Sequence, residues 1–374
     1  MNGTIRVGNL FGIPFYVHPS WFFVLTLVAW SYGSDLGAQF PGLGSGLPLL
    51  LGLVVGLLLF ASVLAHELGH SLVAIRQGIA VKSINLFLFG GLANLEKESK
   101  TPGEAFWVAI AGPLVSLVIF GLLTAINVTT GISGALAAIV GLVASTNLAL
   151  ALFNLIPGLP LDGGNILKAL VWKITNNPYK GVIFAGRAGQ VVGWIAIFSS
   201  LLPILLFGSF ANIWGLLIGW FLLQNAGLAT RTAKVQAQLA AIKAEDAITP
   251  NSPIITADIS LRELANEYII GKPNRERFLV TDNDGQLIGA IAVDDLKTIP
   301  TSHWNETQVR ELMQPYQLQT TVQSEQSLLE VITLLEQQKL SSLPVIRGNG
   351  VLVGLVEKAE ILHLLQKRAQ AKVA

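Results

Sequence analysis

Cysteine is absent from all 374 residues. That excludes disulfides, cysteine-ligated zinc and a thiol nucleophile, although it does not fix the redox compartment. Charge is nearly as scarce: Asp, Glu, Lys and Arg make up 13% of the chain against 52% hydrophobic residues, where soluble domains carry about a quarter charged. From Trp107 to Leu161 no Asp, Glu, Lys or Arg occurs, whereas from Lys234 onward they recur every few residues. The chain therefore reads as an integral membrane region followed by a soluble one. A net charge of +1 excludes nucleic acid as a partner, because neutralising phosphates takes clustered Lys and Arg. The first residues, "MNGTIRVGNLFGIPFYVHPSW", lack a basic segment followed by an apolar one and a small-residue cleavage site, so no removed signal peptide is expected.

What is there in abundance is long apolar runs. Six candidate spans lie at 18–35, 47–76, 104–126, 134–156, 182–206 and 209–229, each long enough to cross about 30 Å of hydrocarbon. Arg76, Lys82, Lys97 and Lys100 follow the second, Lys168, Lys173 and Lys180 the fourth, and Arg231 and Lys234 the sixth. The other three connections carry no Lys or Arg, so the positive-inside rule puts both termini in the cytoplasm, with the cell (inner) membrane as the expected location. Between the second and third spans, "VKSINLFLFGGLANLEKES" is too broken by Gly90 and Gly91 for a helix and reads as a small β-sheet beside the membrane. "TPGE" at Thr101 is a capping box with Pro at the first helical position, which makes Glu104 a cap.

One span breaks the rule that lipid excludes charge. In "LLLGLVVGLLLFASVLAHELGHSLVAIR", residues 49–76, three ionisable groups, His66, Glu67 and His70, fall within five residues, and each must find a partner. On a helix, positions four apart point the same way, so both imidazoles face one point and can hold one metal. Glu67 stands about 100° round from His66, off the ligand line but within reach of water at a metal, as suits a general base. Two imidazoles, a carboxylate and an open position are a common catalytic zinc set. The remaining histidines, His18, His303 and His363, lie at the mouth of the first span or in the soluble part. A carboxylate is therefore needed, and Asp162 in "NLIPGLPLDGGNIL" is the obvious one. Pro157, Gly158 and Pro160 break the span there, and broken backbone at membrane depth is tolerated where it lines a protein cavity. Asp162 can equally cap a helix starting at Gly163, and capping does not exclude ligation.

"HELGH" on a span, "AGPLVS" at Ala111–Ser116 and "NLIPGLPLDGG" together resemble the site-2 protease family of intramembrane zinc metalloproteases, over most of residues 1–230. The resemblance implies zinc on His66, His70 and Asp162, Glu67 as the base, and Asn154 as a substrate-positioning residue. It also implies hydrolysis of peptide bonds in or near transmembrane segments of other membrane proteins. Arg76 and His66 are ten residues apart, so the metal would lie on the order of 15 Å below the cytoplasmic surface and water needs a route from that side. A helix hides its peptide bonds, so substrates must unwind. Strand addition to the stretch around "INLFLF" would then be blocked by Pro at Asn85 or Leu86.

Beyond a polar helical linker at 231–247, residues 248–374 hold two similar segments about sixty residues apart, each reading helix, strand, tight turn, strand, helix. The turns are "NDGQ" and "GNGV", and "LMQPY" opens the second copy. The pair resembles tandem CBS domains, and the subgroup with six spans and such a pair is the one the whole chain is similar to. The fold class is thus an α-helical polytopic membrane domain with six spans and a small membrane-associated sheet, followed by a soluble α/β tandem CBS module. CBS pairs commonly bind adenosine nucleotides and often form homodimers. Their ribose pattern, Gly-h-h-Ser/Thr-x-x-Asp with h apolar, stands here as "GAIAVDD" and "GLVEKAE". Asp295 keeps the acidic position, whereas Ala292 and Glu357 replace the hydroxyl residue and Glu360 the second Asp. A CBS-regulated divalent-metal transporter is the alternative of a different class. Its path calls for polar groups on further spans, and the first, third and sixth carry almost none.

Overall fold

A computed structural model describes residues 3–87, 90–208, 210, 212–250, 252–272, 276–315 and 321–371. Leu88 and Phe89 of "INLFLF" and Tyr316 of "LMQPY" lie outside the described residues. The chain divides into two compact units, Met1–Lys234 and Val235–Ala374.

The first unit opens with a hairpin, β1 (Ile5–Leu10) and β2 (Ile13–Val17), followed by the helices α1 (Ser20–Gln39) and α2 (Leu47–Arg76). A second hairpin, β3 (Val81–Phe87) and β4 (Gly90–Leu95), precedes α3 (Pro102–Thr129), α4 (Gly134–Asn154), α5 (Asp162–Thr175), α6 (Pro178–Phe207) and α7 (Ile213–Ala240). Five of these, α2, α3, α4, α6 and α7, are long and apolar enough to cross a membrane. Only 11% to 33% of the apolar window of each is buried within the protein, so most of that surface is matched to lipid rather than to a core. At the place of the expected first span stands α1, whose 20 residues reach about 30 Å but which is not among those five helices. Ser31, Tyr32, Ser34 and Asp35 in its second half keep it below the apolarity of the other five.

The sheet is larger than the sequence suggested. Its order is β1-β2-β3-β4, because β2 pairs in parallel with β3, Phe15 opposite Ile84 and Val17 opposite Leu86. Ile13, Ile84 and Leu86 pack with Leu64 in a small core that also takes in Phe60 and Val63. That core seats the sheet on α2 within a turn of His66. It also makes β3 an inner strand. Asn85 and Leu86 face Tyr16 and Val17 on one side and Leu92 and Gly91 on the other, so neither is open to strand addition; the outer strands are β1 and β4, and β4 is the one that lines the catalytic cavity.

At the start of α3, Glu104 N–H donates to Thr101 Oγ1 at 3.2 Å, while Glu104 Oε2 accepts from the backbone of Thr101 at 3.3 Å and of Lys100 at 2.8 Å. Glu104 is a cap, as read from "TPGE". Between α4 and α5 the segment 155–161 is irregular, and Leu159 N–H donates to the Ala185 carbonyl of α6 at 3.1 Å. A Cβ on Gly163 or Gly164 would collide with the backbone of 155–159. The two glycines after Asp162 therefore let the first turn of α5 lie directly on that loop.

The second unit carries one architecture twice. In the first copy β5 (Ile254–Thr256) runs parallel to β6 (Arg277–Thr281), which pairs antiparallel with β7 (Leu287–Ala292). Its helix reduces to α8 (Leu261–Glu263) continued by a π turn, Leu264–Ile269, and α9 (Val309–Leu312) and β8 (Gln314–Pro315) follow. In the second copy β9 (Val322–Gln323), β10 (Ser342–Ile346) and β11 (Leu352–Glu357) repeat the pattern around α10 (Leu328–Gln337), closed by α11 (Lys358–Ala371). Leu279, Leu287 and Ala290 of one copy share a core with Ile346, Leu352 and Leu355 of the other. The tight turns form as expected: Asp282 Oδ1 accepts from Asp284 and Gln286 N–H groups at 3.1 and 2.7 Å.

Candidate metal centre and active site

The 30 residues of α2 place His66 and His70 on one face, ring centroids 5.0 Å apart, with Glu67 beside them; all three are buried. Helix α3 orients both rings. His70 Nδ1 donates to the Val108 carbonyl at 2.6 Å, and His66 Nδ1 pairs with Ser116 Oγ at 2.9 Å. A carbonyl only accepts, so the His70 proton sits on Nδ1 and the Nε2 lone pair is turned inward. Asp162 comes from the first turn of α5, where Leu161 is the N-cap and no side chain caps the helix. Its Oδ2 lies 3.1 Å from His66 Nε2 and 3.3 Å from His70 Nε2. The alternative role of Asp162 as a cap is thus not taken.

The set fits a transition-metal ion on the chemistry of its donors. One atom from each of His66, His70 and Asp162 lies within 4.8 Å of the others. Two inward-facing Nε2 atoms, that of His70 carrying a lone pair, and a carboxylate oxygen at that spacing call for a cation or a proton between them. Gly112 of α3 supplies the room: a Cβ there would overlap Nε2 of His70 and come within 2.7 Å of Nε2 of His66. Two nitrogens and one oxygen would supply three protein ligands, the number found in catalytic rather than structural zinc sites.

A cavity of about 440 Å³ opens on the cluster. His66, Glu67, His70, Asp162 and Asn154, the last residue of α4, all line it, as do Gly90–Ala93 of β4. Gly91 lies so close to Glu67 that a Cβ would overlap its side chain, which fixes the carboxylate between α2 and the sheet. Asp295 belongs to the second unit. There its Oδ2 accepts from Ala292 N–H at 2.9 Å and closes the 3₁₀ turn Val293–Thr298.

Ser116, Gly112, Gly91 and the Val108 carbonyl had no assigned role in the sequence. The signal for two of them was there: Gly112 and Ser116 stand four apart on an otherwise apolar span, and a polar group in such a helix faces a partner.

A membrane bundle with this cluster at its cavity is a metallopeptidase scaffold, and its relatives agree. Residues 54–136 and 119–199 match peptidase family M50, and residues 309–367 match the CBS domain. A Synechocystis protein provisionally named zinc metalloprotease is 58% identical over 369 residues, covering 99% of this chain and 97% of its own. Rip3 of Mycobacterium tuberculosis, also provisionally named zinc metalloprotease, is 31% identical over 98% of this chain and 93% of its own. A solved site-2 protease from Methanocaldococcus jannaschii aligns at 29% identity over 61% of this chain and 95% of its own, with a TM-score of 0.42. The chain belongs to peptidase family M50, the site-2 proteases: it is an integral membrane metalloprotease that carries a CBS module.

Proposed function

We propose that the chain is a zinc-dependent endopeptidase that cleaves transmembrane segments of other membrane proteins inside the bilayer. The observation that carries this reading is the convergence of His66, His70 and Asp162 beside Glu67 on a cavity within lipid-spanning helices. His66 Nε2, His70 Nε2 and Asp162 Oδ2 would hold the ion. Bound there, zinc supplies Lewis acidity that polarises a carbonyl and brings the pKa of water toward about 7.

The rest is done by side chains. Glu67 takes the proton of the attacking water on its carboxylate and returns it to the leaving amine as the C–N bond breaks. Asn154, at the end of α4, orients the substrate backbone with its amide. Ser116 and the Val108 carbonyl hold both imidazoles in the ligating tautomer. Ser116→Ala should therefore lower zinc affinity by about 10- to 100-fold, the usual cost of losing such a support, as read by competition with a chromophoric chelator.

Substrates reach the site extended, paired with the free edge of β4 rather than with β3. Model substrates N-methylated at alternate amides beside the scissile bond should be cleaved at least tenfold more slowly; equal rates would exclude this pairing. The Lys and Arg distribution supports a topology with both termini in the cytoplasm. In the CBS pair, Asp295 is the residue left to accept bonds from ribose hydroxyls. Calorimetry on the full chain should give heat with ATP, ADP or AMP that is lost in Asp295→Ala. No heat at millimolar nucleotide would leave the module as a dimerisation device.

The direct test uses purified full-length protein in detergent and a model transmembrane peptide. Cleavage should fall within the apolar segment, stop with a zinc chelator and return with added zinc. Cleavage indifferent to the chelator would sink the proposal.

A further inference from the structure

A second pocket, mainly apolar among the described residues, lies beside the catalytic cavity. It has a volume of about 150 Å³ and is walled by Trp21, Leu25 and Val28 of α1 and by Leu59 and Phe60 of α2, with Leu86 of β3 at one end. Two residues, Val63 and Gly90, line both this pocket and the catalytic cavity. Val63 stands one helical turn before His66 and Glu67. Gly90 directly precedes Gly91, the residue against the Glu67 side chain. Successive residues of a strand face opposite sides. At Gly90 nothing among the described residues lies within 4 Å of where a Cβ would stand. The two glycines thus put no side chain of β4 between the catalytic cavity, where Gly91 meets Glu67, and the apolar pocket, which Gly90 also lines.

We infer that this pocket is a specificity subsite that takes one large apolar side chain of the substrate, such as Leu or Phe, within two residues of the bond that is cut. The inference rests on the endopeptidase reading above. A segment extended along β4 alternates its side chains between the two faces, so a residue placed at Glu67 has a neighbour aimed past Gly90. A mainly apolar cavity of about 150 Å³ has room for a group the size of benzene. The walls offer mainly apolar contact, so the subsite selects chiefly by size and shape, worth roughly 10- to 200-fold per methylene in such pockets. A transmembrane substrate is rich in such side chains, and the pocket adjoins the one place where its backbone must open.

The test compares full-length wild type with Val24→Phe, which narrows the pocket from α1, and Leu25→Ala, which widens it. Each is assayed on transmembrane peptides that differ only in carrying Ala, Leu or Phe at the residue beside the cut. Wild type should favour Leu or Phe over Ala by tenfold or more. Val24→Phe should bring that ratio near one while still cleaving the Ala peptide, and Leu25→Ala should shift preference from Leu to Phe. The same ratio in all three proteins overturns the inference, as it would if lipid filled the pocket. If wild type cleaves no peptide, the endopeptidase reading fails and the subsite with it; cleavage with an unchanged ratio removes the subsite alone. Should a variant lose zinc and all cleavage, a photoreactive Phe analogue at the same peptide position, bound to Glu67→Gln, decides. Cross-links to Trp21, Leu25 or Phe60 support the subsite, and cross-links confined to other residues overturn it.

Discussion

Glu67→Gln is expected to retain one zinc per chain and the native fold while cleavage falls by at least 10²- to 10⁴-fold, the range that general acid–base catalysis contributes. At about 1.36 kcal/mol per tenfold, that is roughly 3–5 kcal/mol of transition-state stabilisation from one group. Geometry separates it from the ligands. The donor atoms of His66, His70 and Asp162 converge on one point, whereas Glu67 sits off that line, pressed between α2 and Gly91. The amide of Gln has the shape of the carboxylate and no basic oxygen to hold a proton at neutral pH. Zinc content and cleavage measured on one preparation read the two effects apart, and appreciable cleavage by Glu67→Gln would remove Glu67 from the role of base.

Removing a ligand, or the space for the ion, should have the opposite signature: metal and activity lost together. Asp162→Ala leaves two imidazoles, too few protein ligands to hold zinc tightly. His66→Ala and His70→Ala should behave alike. Gly112→Ala tests the cavity rather than the ligands. It keeps all three donors but puts a methyl group against both Nε2 atoms, and neither ring can retreat while Ser116 and the Val108 carbonyl hold the far nitrogens. The expected result is less than a tenth of wild-type zinc at unchanged helix content by circular dichroism. Full zinc in Gly112→Ala would mean that the ion lies elsewhere than between the Nε2 atoms.

The parts of this site legible in the sequence are those where the chain breaks its own solvent rule. Three ionisable residues in a lipid-spanning helix demand compensation, and with no cysteine and the remaining histidines at the mouth of the first span or in the soluble part, a carboxylate beside a broken helix end was the remaining candidate ligand. The first hairpin was illegible for a local reason. Its turn is Phe11-Gly12, both at positive φ, 52° and 82°, where hairpin turns usually announce themselves with Asn-Gly or Asp-Gly. The parallel pairing of β2 with β3 closes only across α1 and α2, a distance over which sequence periodicity carries no information. That pairing made Ile84, Asn85 and Leu86 part of an inner strand rather than the expected docking edge. Helix α5 was hidden because "NLIPGLPLDGG" reads as the broken end of a span, although Asp162 begins a separate 14-residue helix. The continuation of α7 to Ala240 through "RTAKVQAQLA" rests on Ala, Lys, Arg, Gln and Leu, residues of high helix propensity.

X-ray absorption at the zinc edge, on wild type and Asp162→Ala loaded side by side, tests the metal centre most directly. The account predicts a four-coordinate shell of nitrogen and oxygen at about 2.0–2.2 Å with the scattering of two imidazoles, without sulfur, in wild type and no stoichiometric zinc in the variant. An identical two-imidazole spectrum at full occupancy in Asp162→Ala would contradict it.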